Sequence, residues 1–141
     1  MPVNFRENHE FLSNFFPAKV RWDKGIQSYT VENAYQSAKA TNATDRRKIA
    51  EASTPNLAKW FGRNLQSIRP DWQSIKIQVM DYLLHQKFAP GSELARKLIE
   101  TGNDHLAEEN IWGDRFWGTV DGKGENNLGK LLMKIRDELK K

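Results

Sequence analysis

Apolar and polar positions change period several times along this chain, and the changes mark its elements. Between Phe11 and Tyr29 the alternation is imperfect and carries turn punctuation: Pro17 precedes Lys19-Val20-Arg21-Trp22, and Asp23-Lys24-Gly25 follows. That pattern predicts a short β-hairpin. From Val31 to Ala40 the residues Val31, Ala34, Tyr35 and Ala38 recur at helical spacing, and Thr30 is placed to cap the helix. A second helix is expected from Asp45 to Ala52, entered through Thr44 and left at Ser53-Thr54-Pro55. Pro55 suits the first turn of a third, short helix ending near Gly62.

The longest helical pattern runs from Pro70 to Phe88. Trp72, Ile75, Val79, Tyr82 and Leu83 form one stripe, flanked by Ile77, Met80, Leu84 and Phe88. So broad an apolar face predicts a central helix with neighbours on several sides. Ser92 to Glu100 is expected to be helical and closed by Thr101-Gly102-Asn103; residues 106–120 have room for a strand or two. The last helix, Leu128 to Leu139, buries Leu128, Leu131, Leu132, Ile135 and Leu139. No internal repeat, low-complexity tract or linker interrupts the pattern. The expected architecture is mainly α: a compact single helical domain, residues 1–141, with a small antiparallel sheet.

Composition narrows the classes. Seven Phe and five Trp among 141 residues supply a core and exclude a disordered chain. The absence of cysteine excludes a disulfide scaffold, a thiol nucleophile and thiolate metal sites. No run approaches the roughly 20 apolar residues of a membrane span. Met1-Pro2-Val3-Asn4-Phe5-Arg6 lacks the apolar stretch of a signal peptide, so a cytoplasmic address without membrane attachment is expected. A net charge of +4 favours an anionic partner. Without a basic tail, phosphates are expected in a pocket.

Three constellations carry candidate chemistry. In Tyr29–Lys39, Glu32 falls in the first turn of a helix, where the dipole stabilises a charged carboxylate suited to act as base, nucleophile or stabiliser of positive charge. Ordinary dipole pairing accounts for the same residue. In Trp112-Gly113-Asp114-Arg115-Phe116-Trp117-Gly118, two Trp-Gly pairs surround an Asp; glycines admit close backbone approach and indoles offer stacking faces, or both indoles simply pack in a core turn. Trp72 and Trp117 both start from element ends, where clefts form, and are expected to wall one pocket. In Asp121-Gly122-Lys123-Gly124-Glu125-Asn126-Asn127-Leu128-Gly129, a glycine-rich loop feeds a helix N-terminus and offers amides to an anion; a turn followed by an Asn cap explains it equally. His9, His85 and His105 lack metal-ligand spacing, and no GxSxG nucleophile motif occurs, so metal-free carboxylate chemistry without a cofactor is expected.

Read in order, Ser13-Asn14-Phe15-Phe16, Val31-Glu32-Asn33-Ala34-Tyr35-Gln36 with Lys39, Phe61-Gly62-Arg63, Arg69-Pro70-Asp71-Trp72, Gln86-Lys87-Phe88, residues 114–118 and residues 124–133 resemble the NADAR, or YbiA-like, family over nearly the whole chain. The resemblance implies a mainly helical fold and cleavage of N-glycosidic bonds in NAD-derived and ADP-ribose compounds. It also implies Glu32 as catalytic glutamate, Trp72 as aromatic pocket residue, Asp114 to Gly118 as the Asp-x-x-Trp-Gly motif, and Asn127 with Gly129 as the Asn-x-Leu-Gly ending. Asn33 departs from members with His after the glutamate, and Ala40 from those with an aromatic after the lysine.

On that basis Glu32 and Asp114 are the expected catalytic pair. Asn14, Lys39, Arg63, Trp72, Trp117, Gly118, Asn127 and Gly129 are the expected substrate contacts, with phosphates met by Lys39, Arg63 or the amides near Gly124. The expected substrate is ADP-ribosylated guanine in a nucleotide or nucleic acid, with functional pairing to a DNA ADP-ribosyltransferase toxin. Alternatives are an N-glycosidase acting on early riboflavin-pathway intermediates and a non-catalytic module that holds ADP-ribose or NAD derivatives.

Overall fold

Side-chain caps and short turns set the element boundaries in the computed structural model, which describes Val3 and residues 5–141. Met1, Pro2 and Asn4, part of the stretch read above for a signal peptide, lie outside the described residues. The chain forms two compact units: Asn14–Lys87, and the chain up to Ser13 together with Phe88–Lys141. No helix among the described residues is long and apolar enough to cross a membrane.

The unit Asn14–Lys87 opens with the expected hairpin. Strands β1 (Pro17–Val20) and β2 (Ser28–Thr30) pair antiparallel, with Pro17 opposite Thr30 and Val20 opposite Ser28. The chain passes directly from β2 into α1 (Val31–Ala38), where the Thr30 hydroxyl accepts from the Asn33 amide as the expected cap. α2 (Ala43–Ala50) begins earlier than expected, because Asn42 rather than Thr44 caps it by accepting from the Asp45 amide at 2.8 Å. α3 (Pro55–Arg63) has Pro55 in its first turn and Thr54 as cap.

α4 (Trp72–Lys87) packs against α1 and β1. Its buried stripe is Trp72, Val79, Met80, Leu83, Leu84 and Lys87, whereas Tyr82, assigned to the stripe from spacing, stands outward with its ring edge against Trp22. The covered face is chosen by its neighbours, and spacing alone cannot rotate it correctly. Gln86 fixes the hairpin to this helix by accepting from the Arg21 amide and donating to the Arg21 carbonyl, both at 2.8 Å.

In the other unit a 3-10 turn, Glu7–Leu12, precedes α5 (Glu93–Glu100), capped by Ser92, and α6 (Asn127–Leu139). α5 and α6 pack together, and the buried Arg136 donates to the Thr101 hydroxyl at 2.8 Å. Residues 106–120 form only isolated bridges, Val3 with Leu106 and Glu109 with Thr119, in place of the expected strands. The buried Asn110 consumes the backbone groups that a ladder would need: it donates to the carbonyls of Glu108, Asp114 and Thr119 and accepts from the Asp114 amide.

Asn33 and Lys87 generate tests of this packing. The buried Asn33 side chain donates toward the carbonyls of Ile49, Ala50 and Ala52, capping the end of α2 from α1. The Ile49 carbonyl also accepts from the Ala52 amide, so Asn33→Ala is expected to cost about 1–3 kcal/mol chiefly by removing the side-chain donor to Ala50 and Ala52, measured by denaturant unfolding; an unchanged midpoint would refute this. Lys87 is buried near the Phe16 ring, and desolvation pulls its pKa down to about 7. An unfolded lysine titrates near about 10.4. Between those values the unfolded chain holds a proton that the folded chain lacks, so stability is expected to rise with pH across this window. Denaturation midpoints of Lys87→Met should lose that rise.

Candidate functional site

α1 is covered on nearly every side. From Thr30 to Ala40, all residues except Glu32 and Lys39 are buried, including the polar Asn33, Gln36 and Ser37. The helix therefore presents one acid near its start and one base just past its end. The Glu32 amide donates to the Asn14 carbonyl at 3.1 Å, while the Asn14 side chain donates toward the Met80 sulfur at 3.5 Å. Asn14 is thus a buried support beneath the start of α1, and its side-chain oxygen is buried with no hydrogen-bond partner.

Gln36 was absent from the expected site residues. It lies one turn beyond Glu32, and its side-chain NH2 donates to Glu32 Oε2 at 2.6 Å. Gly62 of α3 leaves the space for that amide: a Cβ at 62 would run into the Gln36 side chain. The signal in the sequence was the i,i+4 Glu–Gln spacing, and only the fold shows why Gly62 accompanies it.

The return of the chain after α3 completes this corner. The Arg69 amide donates to the Lys39 carbonyl at 2.9 Å, and Ala40 bridges Ile68, which sets the start of α4 beside the end of α1. Trp72 packs on Tyr35 with ring centroids 5.0 Å apart, and the Lys39 ammonium lies 5.8 Å and 5.9 Å from the Tyr35 and Trp72 centroids. Trp72 is only 6% exposed, so its indole forms the floor of this cluster. Burial lowers the pKa of Lys39; the attraction of Glu32 opposes this, and repulsion from Arg63, Lys76 and Lys59 adds to it. Glu32, Lys39 and Arg63 are thereby brought into one electrostatic environment.

The other unit holds the remaining expected residues. Asp114 folds its own loop: its Oδ1 accepts from the amides of Phe116 and Trp117 at 3.0 and 2.9 Å. Phe116 and Trp117 meet edge to face at 4.9 Å, and Trp117 is half-buried. The carbonyls of Arg115, Phe116, Trp117 and Gly118 accept from the amides of Glu125, Asn127, Leu128 and Asn126, respectively. Asn127 adds a side-chain bond to the Phe116 carbonyl at 2.9 Å.

That closure corrects the expected phosphate cradle. The amides entering α6 are already donated, and those of Asp121 and Gly122 go to the Glu109 carboxylate, which also accepts from the Thr119 hydroxyl. These bonds, the Thr119 one foremost, hold Glu109 below the usual carboxylate range. Asn126 does not cap α6 with its side chain; left-handed at φ 53°, it binds the Leu106 carbonyl and the Glu108 amide instead. A Cβ at Gly118 or Gly129 would strike the carbonyl of Glu108 or Leu106, so what these glycines admit there is the chain's own backbone. Among the described residues no three His, Asp or Glu side chains converge as a metal site.

Gln36 makes Glu32 testable without touching it. Gln36→Leu should lower kcat for glycosidic hydrolysis about tenfold or more, the worth of one hydrogen bond to a charged group, with little change in KM. Gly62→Ala should reproduce the effect by displacing the Gln36 amide. Steady-state kinetics beside thermal melting decides this; unaltered kcat in both folded variants would remove Gln36 from the site.

Known proteins resemble this chain over nearly its whole length. Riboflavin biosynthesis protein VVA0006 of Vibrio vulnificus is 36% identical over 94% of the chain, which spans 36% of that longer protein. N-glycosidase YbiA of Escherichia coli is 36% identical, covering 97% of this chain and 88% of YbiA. The NMR structure of E. coli YbiA superimposes with a TM-score of 0.84 at 34% identity, over 98% of this chain and 84% of that one. The model of the NADAR domain matches residues 4–140, and the chain belongs to the NADAR domain family.

Proposed function

We propose that the chain is an N-glycosidase that hydrolyses the bond between ADP-ribose and guanine in a nucleotide or nucleic acid. The observation that carries this reading is the acid–base corner of α1. Glu32 is held by Gln36 at the one accessible face of a buried helix, within the field of Lys39, Arg63, Lys59 and Lys76. In the reaction water adds to the anomeric carbon, the carbon–nitrogen bond breaks, and its electron pair leaves with the base, which takes up a proton. Positive charge develops on the sugar as the bond lengthens, and a fixed carboxylate stabilises it or takes the proton of the attacking water. The cations suit the two phosphate charges of ADP-ribose.

Asp114 enters the proposal as the second carboxylate, orienting a ribose hydroxyl or assisting the departing base. Both of its backbone bonds fall on Oδ1, which leaves Oδ2 for that role. Asn14 and Asn127 serve as supports behind Glu32 and the Asp114 loop, since their side-chain NH2 groups donate within the protein, to the Met80 sulfur and the Phe116 carbonyl. Reversal of a DNA ADP-ribosyltransferase belongs to the same proposal. The similarity to VVA0006 favours a second reading, hydrolysis of an early riboflavin-pathway intermediate at the same Glu32.

Product analysis on ADP-ribosylated DNA beside the riboflavin-pathway intermediate separates the two. Glu32→Gln is expected to keep the fold, at a cost below about 1 kcal/mol, and to lower kcat by at least about 100-fold while still binding ADP-ribose. Wild-type turnover by a folded Glu32→Gln protein would refute the assignment. Wild-type binding of ADP-ribose without cleavage of either substrate would leave a binding module.

A further inference from the structure

Within the unit Asn14–Lys87, α2, α3 and the turn after α3 enclose a cavity of about 300 Å³ that the Glu32 corner does not use. We infer that this cavity is a subsite for an unmodified nucleobase neighbouring the reacting one on a polynucleotide strand, an inference that rests on the nucleic-acid reading above. Its wall is aromatic: Trp60 is 58% exposed, and its ring stands edge-on to Phe61 at 5.7 Å. An indole left so open at the mouth of a cavity offers a stacking face, which Trp72 does not. Lys48 lies 4.5 Å from the Phe61 centroid and has no carboxylate partner among the described residues.

The remaining lining has the polarity of a base edge. Asn64 commits its NH2 to the Trp60 carbonyl at 2.8 Å, so the acceptor it can offer is its side-chain oxygen, and Gln66 adds an amide with both donor and acceptor. A base with its phosphate answers the aromatic, amide and cationic lining, with stacking by Trp60, edge contacts by Asn64 and Gln66, and charge by Lys48; the one lining carboxylate, Asp45, accepts from the Asn42 side chain. The volume lies at the lower end for small-ligand sites. Alternation of aromatic faces with cations is how proteins hold single strands.

α3 ties the cavity to the reacting site. Trp60 and Arg63 are one turn apart on this nine-residue helix, and Arg63 is among the cations acting on Lys39. α3 packs against α1, which carries Glu32, so a strand with its modified nucleotide at Glu32 meets Trp60 on the same helix as Arg63. A free nucleotide or a riboflavin intermediate has no second base to place there.

The test is fluorescence anisotropy with a labelled, unmodified, mixed-sequence single-stranded DNA. Wild-type protein should bind it; Trp60→Ala should weaken binding about 5- to 150-fold, and Trp60→Phe should retain most of it. Lys48→Met should weaken binding and reduce the slope of log affinity against log salt by about 0.7. An oligonucleotide that fails to bind wild-type protein, or binds Trp60→Ala equally well, overturns the subsite. Cleavage is read separately, on ADP-ribosylated guanosine alone and within the oligonucleotide. Cleavage of the nucleoside with no strand binding keeps the glycosidase reading and removes the subsite. Trp60-dependent strand binding without cleavage of either form supports the subsite and removes the ADP-ribosyl reading.

Discussion

The burial of α1 is the constraint on which the unit Asn14–Lys87 depends. An eight-residue helix is too short to be stable by itself, and this one carries Asn33, Gln36 and Ser37 into the interior. Each buried amide or hydroxyl needs a partner, since an unpaired one costs about 1–3 kcal/mol. Asn33 satisfies this by taking the end of α2, Ser37 by returning to the Ala34 carbonyl, and Gln36 by donating to Glu32. The polar residues thus attach α1 to its neighbours and, in the case of Gln36, to the carboxylate itself. Among the described residues of this unit three side-chain oxygens, those of Asn14, Ser28 and Gln36, are buried without partners. The local structure there is determined less by close packing of apolar groups than by where hydrogen bonds can be made.

A different solution to the same problem organises the other unit. The first amides of α6 have no partners within the helix, and the loop at residues 115–118 supplies carbonyls in their place: Phe116 and Trp117 accept from Asn127 and Leu128, and Arg115 and Gly118 accept from Glu125 and Asn126 just before the helix. Gly124, at φ +148°, makes the approach possible, because a Cβ there would meet the carbonyls of Gly118 and Arg115. Asp114 holds the loop from one side and Asn110 from the other. Such a loop is rigid for its length, and that rigidity is what a presented carboxylate or indole requires.

The sequence made the local features legible and left the long-range ones hidden. Thr30 caps its helix as expected because a cap is a contact three residues long; Thr54 and Ser92 cap theirs in the same way, although they were not assigned as caps from the sequence. Thr44 lost to Asn42 because two cap residues stood two positions apart and only the backbone distinguishes them. Tyr82 was misplaced because its spacing fits the stripe while α1 and β1 cover an adjacent face. Glu32 was visible from its place at a helix start, and Lys39 from its position a turn or two later. The fate of the amides at 121–128 was not visible, since their acceptors, Glu109 and residues 115–118, reach them only through the folded backbone. Family resemblance carried further than spacing, because ordered motifs record these long-range contacts without displaying them.

The electrostatics around Lys39 favour the anionic substrate proposed above. Desolvation is the largest influence on that ammonium, and three further cations press on it in the same direction, while Glu32 is the carboxylate that opposes them. Attraction to the aromatic faces of Tyr35 and Trp72 recovers part of the cost, about 0.5–1 kcal/mol for exposed contacts and more when water is excluded. In the free protein this crowding of positive charge is unfavourable. An anion placed among the four cations turns each repulsive contribution into a shared attraction, and does so where partial burial weakens screening by solvent. Under the proposed function, part of the binding energy is thus held in advance, next to the carboxylate proposed to stabilise positive charge as the sugar–base bond lengthens.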